Sequence, residues 1–150
     1  MNKELKVPAI KEGTVIDHIP SRVTFKVMRI LDLNEFEHVV SVAINLKSKT
    51  MVKKGIIKVG NRFLTQEEVN KIAILAPNAT VNIIKDYEVK EKIKVNIPER
   101  LSNIIKCSNP NCITNTEKVK TLFSIVSKDP LKVMCHHCER VMDQEDITLL

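Results

Sequence analysis

Apolar and polar residues alternate in segments of the first two thirds of the chain, which is typical of strands packed on one side. In residues 38–46, for example, Val40, Val42, Ile44 and Leu46 would share one face, with more polar positions between them. The same reasoning predicts a hairpin partner strand directly afterwards. In all, the pattern predicts five strands, at residues 14–19, 38–46, 54–59, 79–85 and 87–95.

Two stretches between these strands have helical spacing instead. Ser21 is a candidate cap for the first helix, whose apolar positions run from Val23 to Leu31. Thr65 and Glu68 form a capping box before the second helix, which should end at Pro77. Strand, helix, strand, strand, helix, strand is the order of a ferredoxin-like domain, here with one added strand. We therefore predict an α+β protein whose antiparallel sheet carries both helices on one face.

The last third of the chain has a different character and contains all the cysteines. Pro98 marks a boundary, which gives domains at 1–98 and 99–150. Residues 98–105 suggest a short helix, and residues 121–127 and 131–134 suggest two short strands. A module of about 50 residues buries too little apolar surface to be stable without further support. We predict a small β-rich domain that depends on its cysteines.

The cysteine spacing indicates what that support is. A Cys-x4-Cys pair and a Cys-x2-Cys pair can together give a closed tetrahedral shell of thiolates around one structural Zn²⁺ per chain. The ligands would be Cys107, Cys112, Cys135 and Cys138. Two disulfides, or iron with the same ligands, are the alternatives. His136 and His137 lie within the second pair, but four thiolates leave them no place, so they should be exposed.

The charge distribution indicates which kind of partner the chain can bind. The net charge is +6, and it belongs to residues 1–98, with 17 Lys or Arg against 11 Asp or Glu. Such an excess suits an anionic partner. Lys90, Lys92 and Lys94 would share one strand face, where they could bind phosphates or simply protect a sheet edge from aggregation. Asp17 and His18 are sequence neighbours, which point to opposite faces of a regular strand.

Several classes of protein are disfavoured. Residues 1–10 lack the long apolar run of a signal peptide, and no stretch approaches the ~20 apolar residues that span a bilayer, so we expect a cytoplasmic protein without a membrane partner. No glycine-rich phosphate loop or activated nucleophile is visible, so the chain is not expected to be an enzyme. The residues alone leave open a zinc-ribbon RNA-binding protein, although the absence of Trp and the low aromatic content of 3% argue against base stacking.

Particular stretches of the chain closely resemble the regulatory chain of aspartate carbamoyltransferase, an enzyme of pyrimidine synthesis. The resemblance spans nearly the whole chain. It is carried by the cysteine set and by AIK at 9–11, GTVIDHIP at 13–20, IK at 57–58, AP at 76–77, ATVN at 79–82, YEV at 87–89, PER at 98–100 and NCI at 111–113.

The resemblance implies a non-catalytic subunit that binds the nucleotides CTP and ATP in its first domain. Lys58 and Lys92 would bind the phosphates, and Asp17 would bind the ribose hydroxyls. Ile10 and the backbone near Tyr87 would contact the base. The full nucleotide site implied is Ala9, Ile10, Lys11, Asp17, His18, Lys58, Asn82, Tyr87, Val89 and Lys92.

The family also implies protein partners and no nucleic acid. Two regulatory chains would associate through their first domains, for which the hairpin at 38–59 offers an edge. The zinc domain would dock on a separate catalytic chain and so link catalytic trimers. The residues that would face this chain are Asn109, Asn111 and Glu139.

Overall fold

The computed structural model describes residues 8–33, 35–49 and 52–150. The chain divides into two compact units, Met1–Asn96 and Ile97–Leu150. Among the described residues, no helix is both long and apolar enough to cross a membrane.

The described residues of unit 1 form five strands and two α-helices. In chain order these are β1 (Gly13–Pro20), α1 (Thr24–Ile30), β2 (Val40–Lys47), β3 (Lys53–Gly60), α2 (Gln66–Leu75), β4 (Thr80–Lys85) and β5 (Glu88–Lys94). The strands form one antiparallel sheet in the order β2-β3-β1-β4-β5. The α+β ferredoxin-like prediction is confirmed, and the added strand β5 extends the sheet beyond β4.

The helices cover one face of this sheet. Ile16, Ile57 and Val81 are register partners on neighbouring strands and are almost completely buried. Val27 of α1 and Ile72 of α2 are also fully buried, and the two helices contact each other. Burying these side chains is the main stabilising contribution to unit 1, at roughly 1.5–3 kcal/mol for each large apolar residue.

A close approach between α1 and β3 depends on Gly55. A Cβ atom at this position would lie 2.0 Å from the hydroxyl oxygen of Thr24. Thr24 is itself fully buried and donates a hydrogen bond to the Pro20 carbonyl. The start of α1 therefore rests directly on the backbone of β3.

The predicted cap of α1 is wrong, whereas that of α2 is confirmed. Residues Ser21–Val23 form a 3-10 turn before α1, and the Ser21 hydroxyl accepts a hydrogen bond from the Asn45 amide of β2 instead of capping the helix. At α2 the Thr65 hydroxyl accepts from the Glu68 amide, and the Glu68 carboxylate accepts from the Thr65 amide. A local sequence signal is reliable when no tertiary partner competes for the side chain.

Two strands do not alternate as regularly as their sequences suggest. In β2 the register with β3 shifts between Ala43 and Leu46, with Asn45 at φ 60°, so Leu46 does not share a face with Val40. In β5 the register with β4 shifts around Lys90. Lys92 and Lys94 therefore share a face, but Lys90 is the extra residue of a bulge, and the predicted row of three lysines is wrong. Bulges insert one residue and reverse the alternation beyond it.

Unit 2 is mostly β-structure, as predicted. Its elements are β6 (Arg100–Ser102), β7 (Ile105–Lys106), the four-residue helix α3 (Ile113–Thr116), β8 (Leu122–Lys128), β9 (Leu131–Cys135), β10 (Val141–Asp143) and β11 (Thr148–Leu149). Four strands form a sheet in the order β10-β9-β8-β6, and β11 pairs with β7. The short helix expected at 98–105 is absent, because Leu101 is a buried strand residue opposite Phe123.

Candidate functional sites: a polar sheet face and a four-cysteine centre

The sheet face opposite the helices, here called the polar face, carries a row of register partners across all five strands. Ser41 pairs with Lys58, Lys58 with Val15, Val15 with Asn82, and Asn82 with Lys92. Because directly opposed residues of an antiparallel pair project to the same side, these side chains share the polar face. The structure thus aligns three residues of the predicted nucleotide site, Lys58, Asn82 and Lys92, that are distant in sequence.

A bulge in β1 adds Asp17 and His18 to the same face. His18 has φ 58°, and the register with β3 shifts between Ile16 and Ile19. The His18 ring lies 3.1 Å from the hydroxyl of Thr80, which is the register partner of Asp17. The expectation that Asp17 and His18 point to opposite faces is therefore wrong, because it assumes a regular strand.

Asp17 has a partner that the sequence did not suggest. Its carboxylate lies 2.9 Å from the ammonium group of Lys54, and both side chains are largely buried. Lys54 follows the β2–β3 connection and has no motif of its own. Only the register, which places β3 beside β1, could have revealed the pair.

The segment before β1 lies beside the polar face. The Pro8 carbonyl accepts a hydrogen bond of 2.9 Å from the Lys58 ammonium, and the Lys11 carbonyl accepts one from the Tyr87 amide. Ala9 and Ile10 lie between these contacts and line a cleft of about 670 Å³ that reaches towards Ser41. The two contacts connect this segment to Lys58 of the row of register partners and to the β4–β5 turn.

Tyr87 and Val89 complete the set at the β4–β5 turn. Asp86 and Tyr87 both have positive φ, as a two-residue hairpin turn requires. Tyr87 is exposed, and Val89 pairs with Ile84 just beyond the bulge. Every predicted nucleotide-site residue therefore lies on the polar face, on the segment before β1, or at this turn.

The electrostatics of the polar face favour an anion. Burial lowers the pKa of the Lys58 ammonium, and the nearby negative charge of Asp17 offsets part of that effect. A partly desolvated cation interacts more strongly with an incoming negative group than one in bulk water does. Lys92 and Lys94 add positive charge on the same face.

In unit 2 the four cysteines form one compact cluster. Their sulfur atoms all lie within 4.8 Å of one another, with Cys107 and Cys138 3.6 Å apart and Cys112 and Cys135 3.8 Å apart. These separations are far longer than the ~2.05 Å of a disulfide. The two shorter distances are close to the S–S edge of about 3.8 Å in a tetrahedron of thiolates about 2.3 Å from a zinc ion. The four sulfurs fit a single metal ion.

Two loops position these sulfurs. In the first loop the Asn109 carbonyl accepts a hydrogen bond from the Cys112 amide. In the second, which joins β9 to β10, the Cys135 carbonyl accepts from the Glu139 amide, and the Arg140 carbonyl accepts from the Cys135 amide. Each loop thus presents two thiols on one side. His136 and His137 are exposed, as predicted, and are not part of the cluster.

Burial and hydrogen bonding shift the pKa values of the thiols in opposite directions. Burial raises the pKa of Cys107 to about 12 and also raises that of Cys135. For Cys138, burial acts in the same direction, but hydrogen bonds from the Arg140 backbone and the Asn109 side chain outweigh it and bring the pKa to about 7. Four thiolates this close repel one another, so a cation is needed to hold all of them ionised.

The residues predicted to face a partner surround this cluster. Asn109 is half-buried, and its side-chain oxygen accepts a hydrogen bond from the Asn111 amide. Asn111 and Glu139 are exposed. Glu139 has φ 61°, a left-handed conformation that glycine adopts more easily.

The chain combines a ferredoxin-like domain, which has a cationic polar face, with a β-domain that has a four-cysteine metal site. This combination defines a class of two-domain binding proteins. Comparison with known proteins specifies the family. Residues 5–96 match the family described as aspartate carbamoyltransferase regulatory chain, allosteric domain, and residues 99–148 match its metal binding domain. The chain belongs to the aspartate carbamoyltransferase regulatory chain family, and it is a regulatory rather than a catalytic chain.

Curated relatives with the same description match this chain over nearly their whole length. The aspartate carbamoyltransferase regulatory chain of Pyrococcus abyssi is 57% identical over 146 residues, covering 96% of each chain. That of Pyrococcus horikoshii is 58% identical with the same coverage. That of Bacteroides fragilis is 47% identical over 150 residues, covering 99% of this chain and 98% of its own.

Proposed function

We propose that this chain is the nucleotide-sensing subunit of aspartate carbamoyltransferase, binding CTP and ATP on the polar face of unit 1 and acting on a catalytic chain through unit 2. The observation that carries this proposal is the row of register partners that aligns Lys58, Asn82 and Lys92. A cytoplasmic location is part of the proposal, because a reducing compartment keeps the four thiols available for metal.

The residue types suit a nucleoside triphosphate. Lys58 and Lys92 provide cations for the phosphates, which lysine binds without a glycine-rich loop. Asp17 and His18 offer hydrogen-bonding groups for ribose. Ile10 and the exposed backbone around Tyr87 offer an apolar contact and polar groups for the base, with Ala9, Lys11 and Val89 completing the wall.

The metal is proposed to be one structural Zn²⁺ per chain, held by Cys107, Cys112, Cys135 and Cys138. The sulfur separations support zinc, which binds four thiolates tetrahedrally. When bound, the ion neutralises much of the thiolate charge and contributes free energy of folding to a small domain. A closed shell leaves no position for a reacting water, so the role of the ion is to hold the two loops.

These two loops are proposed to form the docking surface for the catalytic chain, through Asn109, Asn111 and Glu139. The conformation of Glu139 supports this, because a left-handed non-glycine residue costs of order 1 kcal/mol or more. A glycine would avoid that cost. The glutamate side chain is therefore proposed to be needed for contact with the partner, which would link catalytic trimers.

Self-association is proposed to use the β2 edge of the sheet. The other edge, β5, has an early bulge and mostly charged residues, both of which discourage strand pairing. By contrast, β2 contains five apolar residues, none of them fully buried, and Ile44 is 37% exposed. Val39, just before β2, is 73% exposed. A second copy of the chain would bury this apolar edge.

Regulation requires the effector to bind two states of the assembly with different affinities, since an equilibrium shifts only by that difference. We propose that nucleotide at the polar face changes how unit 2 engages the catalytic chain. Isothermal titration calorimetry tests this directly. CTP and ATP should each bind the chain alone, and their affinities should change when the catalytic chain is present. Absence of binding in both settings would overturn the proposal.

A further inference from the structure

The helix α3 turns two polar side chains back towards the cysteine cluster, although neither belongs to the cysteine motif. Thr114 donates its hydroxyl hydrogen to the sulfur of Cys112 at 3.2 Å. The Asn115 side-chain amide donates to the backbone carbonyls of Cys107 and Asn109, both at 2.8 Å. We propose that Thr114 and Asn115 are positioning residues that set the affinity of the site for its metal ion. This inference rests on the proposed metal site.

Thr114 stabilises the negative charge of the four-thiolate metal centre. Four thiolates around one divalent ion leave a net charge of about −2, and hydrogen bonds to sulfur are the way a protein stabilises such a charge away from water. Cys112 is only 2% exposed, so solvent contributes little there. Its sulfur instead receives the Thr114 hydroxyl, which stabilises the thiolate form that binds metal.

Asn115 acts on the geometry of the first loop. Its amide group bridges the carbonyl at the start of the loop and the carbonyl in the middle. The same middle residue, Asn109, also accepts from the Cys112 amide. Asn115 therefore braces the loop and fixes the Cys107 sulfur relative to that of Cys112. Without it, the Cys107 carbonyl loses this donor, the Asn109 carbonyl keeps only the Cys112 amide, and the loop is free to widen.

The same helix offers a matched control. Thr116 lies one residue beyond Asn115, and its hydroxyl bonds the Ile113 carbonyl at 3.4 Å without contacting a cysteine. Thr114→Val removes the hydroxyl at nearly constant volume, and Thr114→Ser keeps it. Thr116→Val makes the same chemical change away from sulfur. A role confined to helix packing would affect the two valine variants alike.

The experiment measures metal binding by the full chain in competition with a chromophoric chelator, using Zn²⁺ and Co²⁺. We expect Thr114→Val and Asn115→Leu to lower the affinity by about 10-fold or more, as loss of partners around metal ligands typically does. Thr114→Ser and Thr116→Val should bind like the wild type. With Co²⁺, the thiolate-to-metal charge-transfer band should shift in Thr114→Val and should have the wild-type position in Thr114→Ser.

Wild-type affinity together with an unshifted band in Thr114→Val would overturn the role of the hydroxyl, and wild-type affinity in Asn115→Leu would overturn that of the amide. If Asn115→Leu does not fold, Thr114→Val still decides, because it removes a single hydroxyl group. Failure of the wild-type chain to bind one ion would instead overturn the proposed metal site itself, which is a distinguishable result.

Discussion

Asn82 of β4 and Lys92 of β5 are direct register partners on the polar face, whereas Lys90, two residues before Lys92, lies in a bulge and forms an ion pair with Glu88. Two lysines that look equivalent in the sequence thus have different surroundings. Because of the bulge, Lys92 lies in the row that includes Lys58, whereas Lys90 lies in a surface ion pair. This difference makes the proposed nucleotide site testable by a matched pair of substitutions.

Loss of the metal should unfold unit 2 and leave unit 1 intact. Cys138→Ala, or chelation of the ion, removes the folding free energy that the metal contributes to the small domain. We expect loss of structure in residues 97–150 by hydrogen exchange, loss of assembly with the catalytic chain, and little change in nucleotide binding. Normal assembly by the metal-free variant would contradict the proposed role of the metal. His137→Ala, an exposed change beside Cys138, serves as the control.

Metal binding should release fewer protons as the pH rises towards about 8.5. A thiol must lose its proton to bind the ion. Unit 2 is expected to be unfolded before the ion binds, and a cysteine thiol in an unfolded chain has a pKa of about 8.5, so a growing fraction of the thiols is already ionised as the pH approaches that value. Calorimetry in buffers of different ionisation enthalpy, at about pH 6 and about pH 8, measures the protons released. An equal number at both values would contradict this prediction.

Gly55→Ala should destabilise unit 1 by about 1–3 kcal/mol, the usual cost of overpacking. The new methyl group would meet the Thr24 side chain at 2.0 Å. The free energy of unfolding, measured by urea denaturation, tests the effect. Adding Thr24→Ala should remove much of the clash, so the double variant should be more stable than the sum of the single changes predicts. Simple additivity would mean that the two positions do not interact.

A charge on the β2 edge should weaken self-association. Ile44→Lys places an ammonium group at the proposed interface between two copies, where it would lose solvent without gaining a partner. Sedimentation of the full chain should then show monomer at concentrations where the wild type is dimeric. The control is Glu88→Lys at the β5 edge, which should leave association unchanged. The opposite pattern would assign the interface to β5.

Sequence reasoning predicted the fold and the cysteine cluster because both depend on local signals. The capping box at Thr65 and the two cysteine pairs each lie within a few residues, so their geometry follows from the backbone nearby. The ferredoxin-like order followed from alternating and helical periods, and the strand order of the sheet agrees with it.

What the sequence could not predict depends on tertiary pairing. The bulges at His18, Asn45 and Lys90 reverse the side-chain directions of the residues that follow. None of these three positions is a glycine, the residue that most often marks a bulge in a sequence, so the sequence gives no sign of them. Ser21 has the side chain of a helix cap, but an amide of β2 uses its hydroxyl. The contacts of Lys54 and Asn115 likewise arise only after distant segments have met.

The central claim, nucleotide binding on the polar face, is tested most directly by titrating CTP into the full chain and into Lys92→Gln and Lys90→Gln. Both variants lose one positive charge from the same strand. We expect Lys92→Gln to weaken CTP binding by about 10-fold or more, in line with ~1.5–3 kcal/mol for a hydrogen bond to a charged group, and Lys90→Gln to bind almost like the wild type. Equal affinities for the two variants would contradict a phosphate site at Lys92.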